Sequence, residues 1–66
     1  MKTVYAVRGS EDGTIGIYSS KKKAIVRARE YVNQNDKIIN EDLESDFVWF
    51  FYGSSLQSDV ERWDVE

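Results

Sequence analysis

The chain has 66 residues, of which 41% are hydrophobic, and its formal net charge is −3. This size allows one small domain, residues 1–66, and excludes two. The chain contains no His and no Cys, which excludes disulfides, thiol nucleophiles and the usual zinc ligands. No apolar run approaches the ~20 residues of a membrane helix, so we expect a cytoplasmic protein without membrane association.

The chain begins with the pattern of a β-hairpin. Residues 3–8 are rich in Val and Tyr, and residues 14–18 continue the pattern with Ile15 and Ile17 on one face. Between them, residues 9–13 form a turn whose Asp-Gly step suits a positive φ angle. These residues predict two antiparallel strands.

A helix is predicted to follow the hairpin, from residue 21 to about residue 34. Ser20 precedes it and offers an N-cap, because a Ser hydroxyl accepts hydrogen bonds from the free N–H groups of the first turn. Val26 lies among charged side chains and is expected to be exposed. An apolar stripe covering ~120° of the helix wheel is expected to face the core, and it consists of Ala24, Ile25, Ala28, Tyr31 and Val32.

The second half of the chain is predicted to hold a long loop and further strands. The polar and acidic stretch from Asn33 to Asp46 is predicted to be a loop with one short turn. Residues 47–52 are the strongest strand of the chain. The tail that follows fits either a helix or a strand over residues 60–65 that carries Trp63 and Val65 on one face.

A strand-to-helix motif, IGIYSSKKKA, lies at residues 15–24. It resembles a family of small phage and bacterial domains of unknown function, which is marked by a Val/Tyr-rich first strand and this junction. The acidic, aromatic segment 59–66 is similar to the strand that closes those domains. The resemblance covers residues 3–32 well and the tail loosely. It implies a phage or mobile-element origin and a strand at residues 60–65, and it transfers no catalytic residue.

These elements predict an α+β fold in ββαββ order, with an antiparallel sheet of about four strands and one helix on one face. Successive side chains of a strand point to opposite faces, so Phe47, Trp49 and Phe51 point one way and Val48, Phe50 and Tyr52 the other. One helix covers only one of these apolar faces. The other must be covered by the loop at residues 35–46, by a second copy of the chain or by a foreign partner.

The two halves of the chain carry opposite charge. Residues 1–34 hold seven basic and three acidic side chains, a balance of +4, and residues 35–66 hold two basic and nine acidic ones, a balance of −7. Such asymmetry indicates a partner surface, or two halves that neutralise each other across the fold.

We expect a small non-enzymatic binding protein that forms a homodimer and that inhibits or modulates a host protein, such as a defence-system protein. Acidic residues would steer the encounter and aromatic ones would hold the complex. Nothing distinguishes two of the 12 acidic residues as a catalytic pair. The predicted contact residues are Glu41, Asp42, Glu44, Asp46, Trp49, Phe51, Asp59, Glu61 and Trp63.

Two alternatives stay open. The first is a dimeric small-ligand binder that sequesters a phosphorylated nucleotide at the start of the helix, where free N–H groups attract anions. Its predicted ligand-binding residues are Arg8, Ser19, Ser20, Lys21, Lys22 and Lys23. The second is a nucleic-acid mimic built from the acidic side chains. A pI of about 4.8 disfavours direct nucleic-acid binding, and no motif indicates a metal or another cofactor.

Overall fold

The computed structural model describes residues 2–34 and 37–65. These residues form an α+β fold in which one helix packs on an antiparallel sheet, as predicted. The elements in chain order are β1 (Lys2–Gly9), β2 (Gly13–Tyr18), α1 (Lys21–Asn33), β3 (Asn40–Asp42), β4 (Val48–Tyr52) and β5 (Gln57–Val65).

The sheet is built around the pairing of the first strand with the last. Its strand order is β2-β1-β5-β4-β3, and every neighbouring pair is antiparallel. Strand β1 pairs with β5 along its whole length, from Lys2 opposite Val65 to Gly9 opposite Ser58. The hairpin partners β2 and β4 then flank this central pair.

The predicted hairpin is confirmed, with one irregularity. Gly13 adopts a φ of 71°, which is the left-handed conformation expected of the Asp-Gly turn. The register between β1 and β2 shifts between Val7 and Arg8. Such a bulge inserts one extra residue and increases the local twist.

Helix α1 packs on the sheet through the predicted stripe. Ala24, Ala28, Tyr31 and Val32 are buried, whereas Ile25 is partly buried against the same core. Small Ala side chains allow the helix backbone to approach the sheet closely. Val26 is exposed, as predicted.

The start of α1 differs in one respect from the expectation. Ser20 occupies the N-cap position with an extended backbone, and its carbonyl accepts from the Ala24 N–H at 3.1 Å. Its hydroxyl makes no capping hydrogen bond. The first turn of α1 therefore lacks the side-chain acceptor that the sequence predicted.

The strand predicted in the tail is confirmed as β5, and it begins at Gln57, earlier than predicted. The predicted loop at 33–46, of which residues 35 and 36 lie outside the described residues, contains the short strand β3. It forms because β4 has an edge to pair: the Ile39 N–H donates to the Tyr52 carbonyl at 2.7 Å, and Asn40 then pairs with Tyr52. The sheet consequently has five strands rather than four.

The sheet has a helix side and an open face, which is the face turned away from α1. The side chains opposite each other in the register share a face, so Val7, Val60, Trp49 and Phe51 form the core under the helix. The described part of the 35–46 loop does not cover the open face. Its strand extends the sheet sideways, and Ile38 packs against the helix-side core.

Candidate functional site

The open face displays large apolar side chains that the fold leaves accessible. Ile17 is 61% exposed, Trp63 49% and Phe50 38%. Phe50 stacks on Tyr52 with ring centroids 6.2 Å apart. Register places these side chains on one face, because Ile17 is opposite Ala6, Trp63 is opposite Val4 and Phe50 is opposite Asp59.

A charged group lies on the open face, on the adjacent strands β1 and β5. Arg8 donates from Nε and Nη2 to Asp59 Oδ2, at 3.1 and 2.9 Å, and its Nη2 lies 3.6 Å from Glu61 Oε2. These contacts raise the pKa of Arg8, first through the hydrogen bonds to Asp59, then through the charge of Asp59 and, more weakly, that of Glu61. One cation thus meets two carboxylates, and the group carries a net negative charge.

The predicted acidic contact residues at positions 41–46 lie in different surroundings. Glu41 lies on the helix side, where Arg29 donates from Nε and Nη2 to its two carboxylate oxygens, each at 2.9 Å. This hydrogen bonding, followed by the charge of Glu41, raises the pKa of Arg29. Asp42 is opposite Phe50 and belongs to the open face. Glu44 and Asp46 are exposed in the loop between β3 and β4.

Three ion pairs connect the two oppositely charged halves of the chain. Arg8 with Asp59, Arg8 with Glu61 and Arg29 with Glu41 each join a base of the first half to an acid of the second. Neutralisation across the fold therefore accounts for part of the charge asymmetry. Asp42, Glu44 and Asp46 are exposed beyond these pairs.

Trp49 and Phe51 are wrong as contact residues. They are 3% and 0% exposed, because the register puts them under α1 opposite Val60 and Ser58. Sequence reasoning missed Phe50, which occupies the open face instead. Strand alternation separates the two sets of side chains but does not tell which set the helix covers.

The predicted ligand set is not brought together. Arg8 is held on the open face by Asp59, whereas Lys21 lies on the helix side, with its Nζ 4.4 Å from the centroid of the Trp49 ring. Arg8 also lies beside Gly9, which contacts Tyr31 at the far end of α1. An anion site that combines Arg8 with Ser19–Lys23 is therefore wrong.

Neither a metal centre nor a membrane span is found in the described part of the chain. Residues 2–34 and 37–65 contain no group of three or more acidic side chains placed to hold a metal ion. The helix among them is too short and too polar to cross a membrane. Comparisons with family models, with curated proteins and with solved structures find no match to this chain.

Proposed function

We propose that this chain is a non-enzymatic binding protein that engages another protein through the open face. The observation that supports the proposal is the exposure of Ile17, Phe50 and Trp63 on one side of a sheet whose other side is the core. Exposed apolar side chains gathered on one surface and mixed with charges are typical of protein interaction sites. Trp63 is the best anchor among them, because buried Trp side chains often dominate binding energies.

The charge of the open face indicates the chemistry of the partner. Arg8 neutralises only one of Asp59 and Glu61, and Asp42 adds a further negative charge at the edge. A partner that surrounds an apolar pocket with Lys or Arg would complement this surface. A second copy would present the same negative group, so charge complementarity favours a foreign, basic partner.

The resemblance at residues 15–24 supports a more specific form of this proposal. The chain would be encoded by a phage or mobile element, act in the host cytoplasm and inhibit or modulate a host protein. The nucleic-acid mimic has weaker support, because Asp59 and Glu41 are already paired with Arg side chains of the same chain.

A photo-crosslinking experiment tests the proposed surface. A photoreactive amino acid is placed at Ile17 on the open face, which leaves the Trp63 anchor in place, or, as a matched control, at the exposed Val26 on α1. In lysate, we expect a crosslinked protein from position 17 and none from position 26. The captured protein should bind the purified chain less tightly as salt rises. Equal crosslinking from both positions would contradict the proposal.

The homodimer predicted from the sequence stays a prediction. Light scattering at high concentration tests it directly. A mass twice that of the 7.7 kDa chain supports a homodimer, and the mass of a single chain contradicts it.

A further inference from the structure

A cavity of about 380 Å³ lies on the helix side, where α1 begins, and it is separate from the open face. Tyr5, Lys21, Trp49 and Arg62 line it together with residues 43–47 of the loop between β3 and β4. The loop is held in place by Ser45 Oγ, which accepts from the N–H groups of Phe47 and Val48, each at 3.2 Å.

Trp49 and Arg62, which line this cavity, each carry a buried N–H donor that lacks an acceptor. Trp49 is 97% buried, and neither its Nε1 nor the buried Nε of Arg62 has a hydrogen-bond partner within the described ranges. Arg62 Nε lies 3.5 Å from Asp64 Oδ1, which is ion-pair distance without hydrogen-bond geometry. They are the two unpartnered buried side-chain polar atoms of the described chain. Buried donors are nearly always satisfied, so a missing acceptor requires an explanation.

Positive charge lies on the wall of the cavity that faces the loop carrying Glu44 and Asp46. The Lys21 ammonium lies over the Trp49 ring, and Arg62 contributes its guanidinium. Lys21 is also the first residue of α1, whose first turn holds no acidic residue and no side-chain cap. The free N–H groups and the dipole of a helix start add to the attraction for an anion.

We propose that this cavity binds the oxyanion of a small organic ligand, a phosphate or a carboxylate, with Trp49 Nε1 and Arg62 donating hydrogen bonds and Lys21 supplying charge. The rings of Tyr5 and Trp49, with centroids 6.0 Å apart, form an apolar wall for the rest of the ligand. The site replaces the predicted set around Ser19–Lys23, from which it keeps Lys21, and it does not depend on the proposed open-face function.

Two acidic residues on the loop wall, Glu44 and Asp46, oppose anion binding. They therefore allow a test of whether the bound ligand is negatively charged. Because both are exposed, their neutralisation leaves the core intact. Glu44→Gln with Asp46→Asn should tighten anion binding several-fold if the bound group is negative. Weaker binding in this variant would contradict an anionic ligand.

The most direct measurement follows the indole N–H of Trp49 by NMR. The chain has two Trp residues, and Trp63→Phe identifies which indole signal belongs to Trp49. Inorganic phosphate, acetate and adenosine monophosphate are titrated at constant ionic strength. We expect a saturable downfield shift of the Trp49 signal with at least one probe and no shift for Trp63. An unmoved Trp49 signal with all three probes would overturn the proposal.

Matched charge variants separate a site from general attraction. Lys21→Gln should weaken binding of the active probe about tenfold, whereas Lys22→Gln, which removes the same charge from a residue outside the cavity wall, should leave it unchanged. Equal weakening by both variants would show that the overall charge of the chain attracts the anion, and it would overturn the proposed site. Preference for phosphate or for acetate then identifies the oxyanion.

Discussion

At the residue scale, Gly9 packs closely against the ring of Tyr31. A Cβ atom on Gly9 would lie 2.7 Å from Tyr31 Cε1 and closer still to Cζ. The same end of the ring is fixed by a hydrogen bond, because the Tyr31 hydroxyl accepts from the Glu11 N–H at 3.1 Å. Tyr31 thus ties the last part of α1 to the hairpin turn, and only Gly leaves room for it.

Gly9→Ala tests this contact. The added methyl group should displace the Tyr31 ring and lower the free energy of unfolding by about 1–3 kcal/mol, the range typical of overpacked cores. Urea unfolding of the variant and of wild type provides the measurement. Gly9→Ala combined with Tyr31→Leu should lose less stability than the sum of the two single variants, and an unchanged urea midpoint for Gly9→Ala would contradict the close contact.

Gly13 is required for its backbone conformation and not for lack of space around it. A methyl group on Gly13 would have no atom within 4 Å, yet the φ of 71° at this position is disfavoured for other residues. Gly13→Ala should therefore cost about 1 kcal/mol through the backbone alone. Gly13→Asn should cost less, because Asn tolerates the left-handed region, and urea unfolding of the two variants compares these costs.

At the element scale, successive side chains of β4 point alternately to the core and to the open face. Phe50 and Phe51 are neighbours of the same size, but one is 38% exposed and the other fully buried. Their two faces follow from register with β5, where Phe51 is opposite the buried Ser58. Ser58 satisfies its hydroxyl by donating to the Arg8 carbonyl at 2.7 Å.

Substitution of each Phe by Ala should lower the melting temperature by different amounts, because only Phe51 belongs to the core. Phe51→Ala removes a fully buried ring and should cost about 3–5 kcal/mol, enough to unfold much of so small a domain. Phe50→Ala should cost about 1 kcal/mol or less and instead weaken partner capture. Comparable melting temperatures for the two variants would contradict the assigned faces.

The elements differ in how well their residues predict them. The stripe of α1 and the Asp-Gly turn rest on local patterns, and both could be read from the chain. Strand β3 could not, because Asn40, Glu41 and Asp42 have low strand propensity and pair only because β4 offers a free edge. The same limit applies to the predicted ligand-binding residues. Arg8 and Lys21 lie on opposite sides of the sheet because of tertiary packing, which a local sequence pattern does not reveal.

At the scale of the whole molecule, surface charge should control how fast a partner is reached. Asp42 lies on the open face and Glu30 is exposed on α1, so Asp42→Lys and Glu30→Lys change the net charge equally at different places. Asp42→Lys should slow association with the captured partner several-fold at low salt, while Glu30→Lys should have a smaller effect. Association rates by surface plasmon resonance provide the measurement.

Salt provides the control for this comparison. The difference between the two variants should shrink at high ionic strength, because exposed charges are then screened within a few ångströms. A difference that persists in 1 M salt would indicate a lost contact rather than lost steering. Equal slowing by both variants would contradict the placement of the acidic surface.

The central pairing of β1 with β5 also determines how the molecule responds to mechanical force. Lys2 is opposite Val65, so the two ends of this ladder that face the chain termini lie side by side. Tension applied between these residues pulls across the strands, parallel to the inter-strand hydrogen bonds, and loads one residue pair at a time. The sheet should therefore unzip at low force, with β2 and β1 leaving on one side and β5, β4 and β3 on the other.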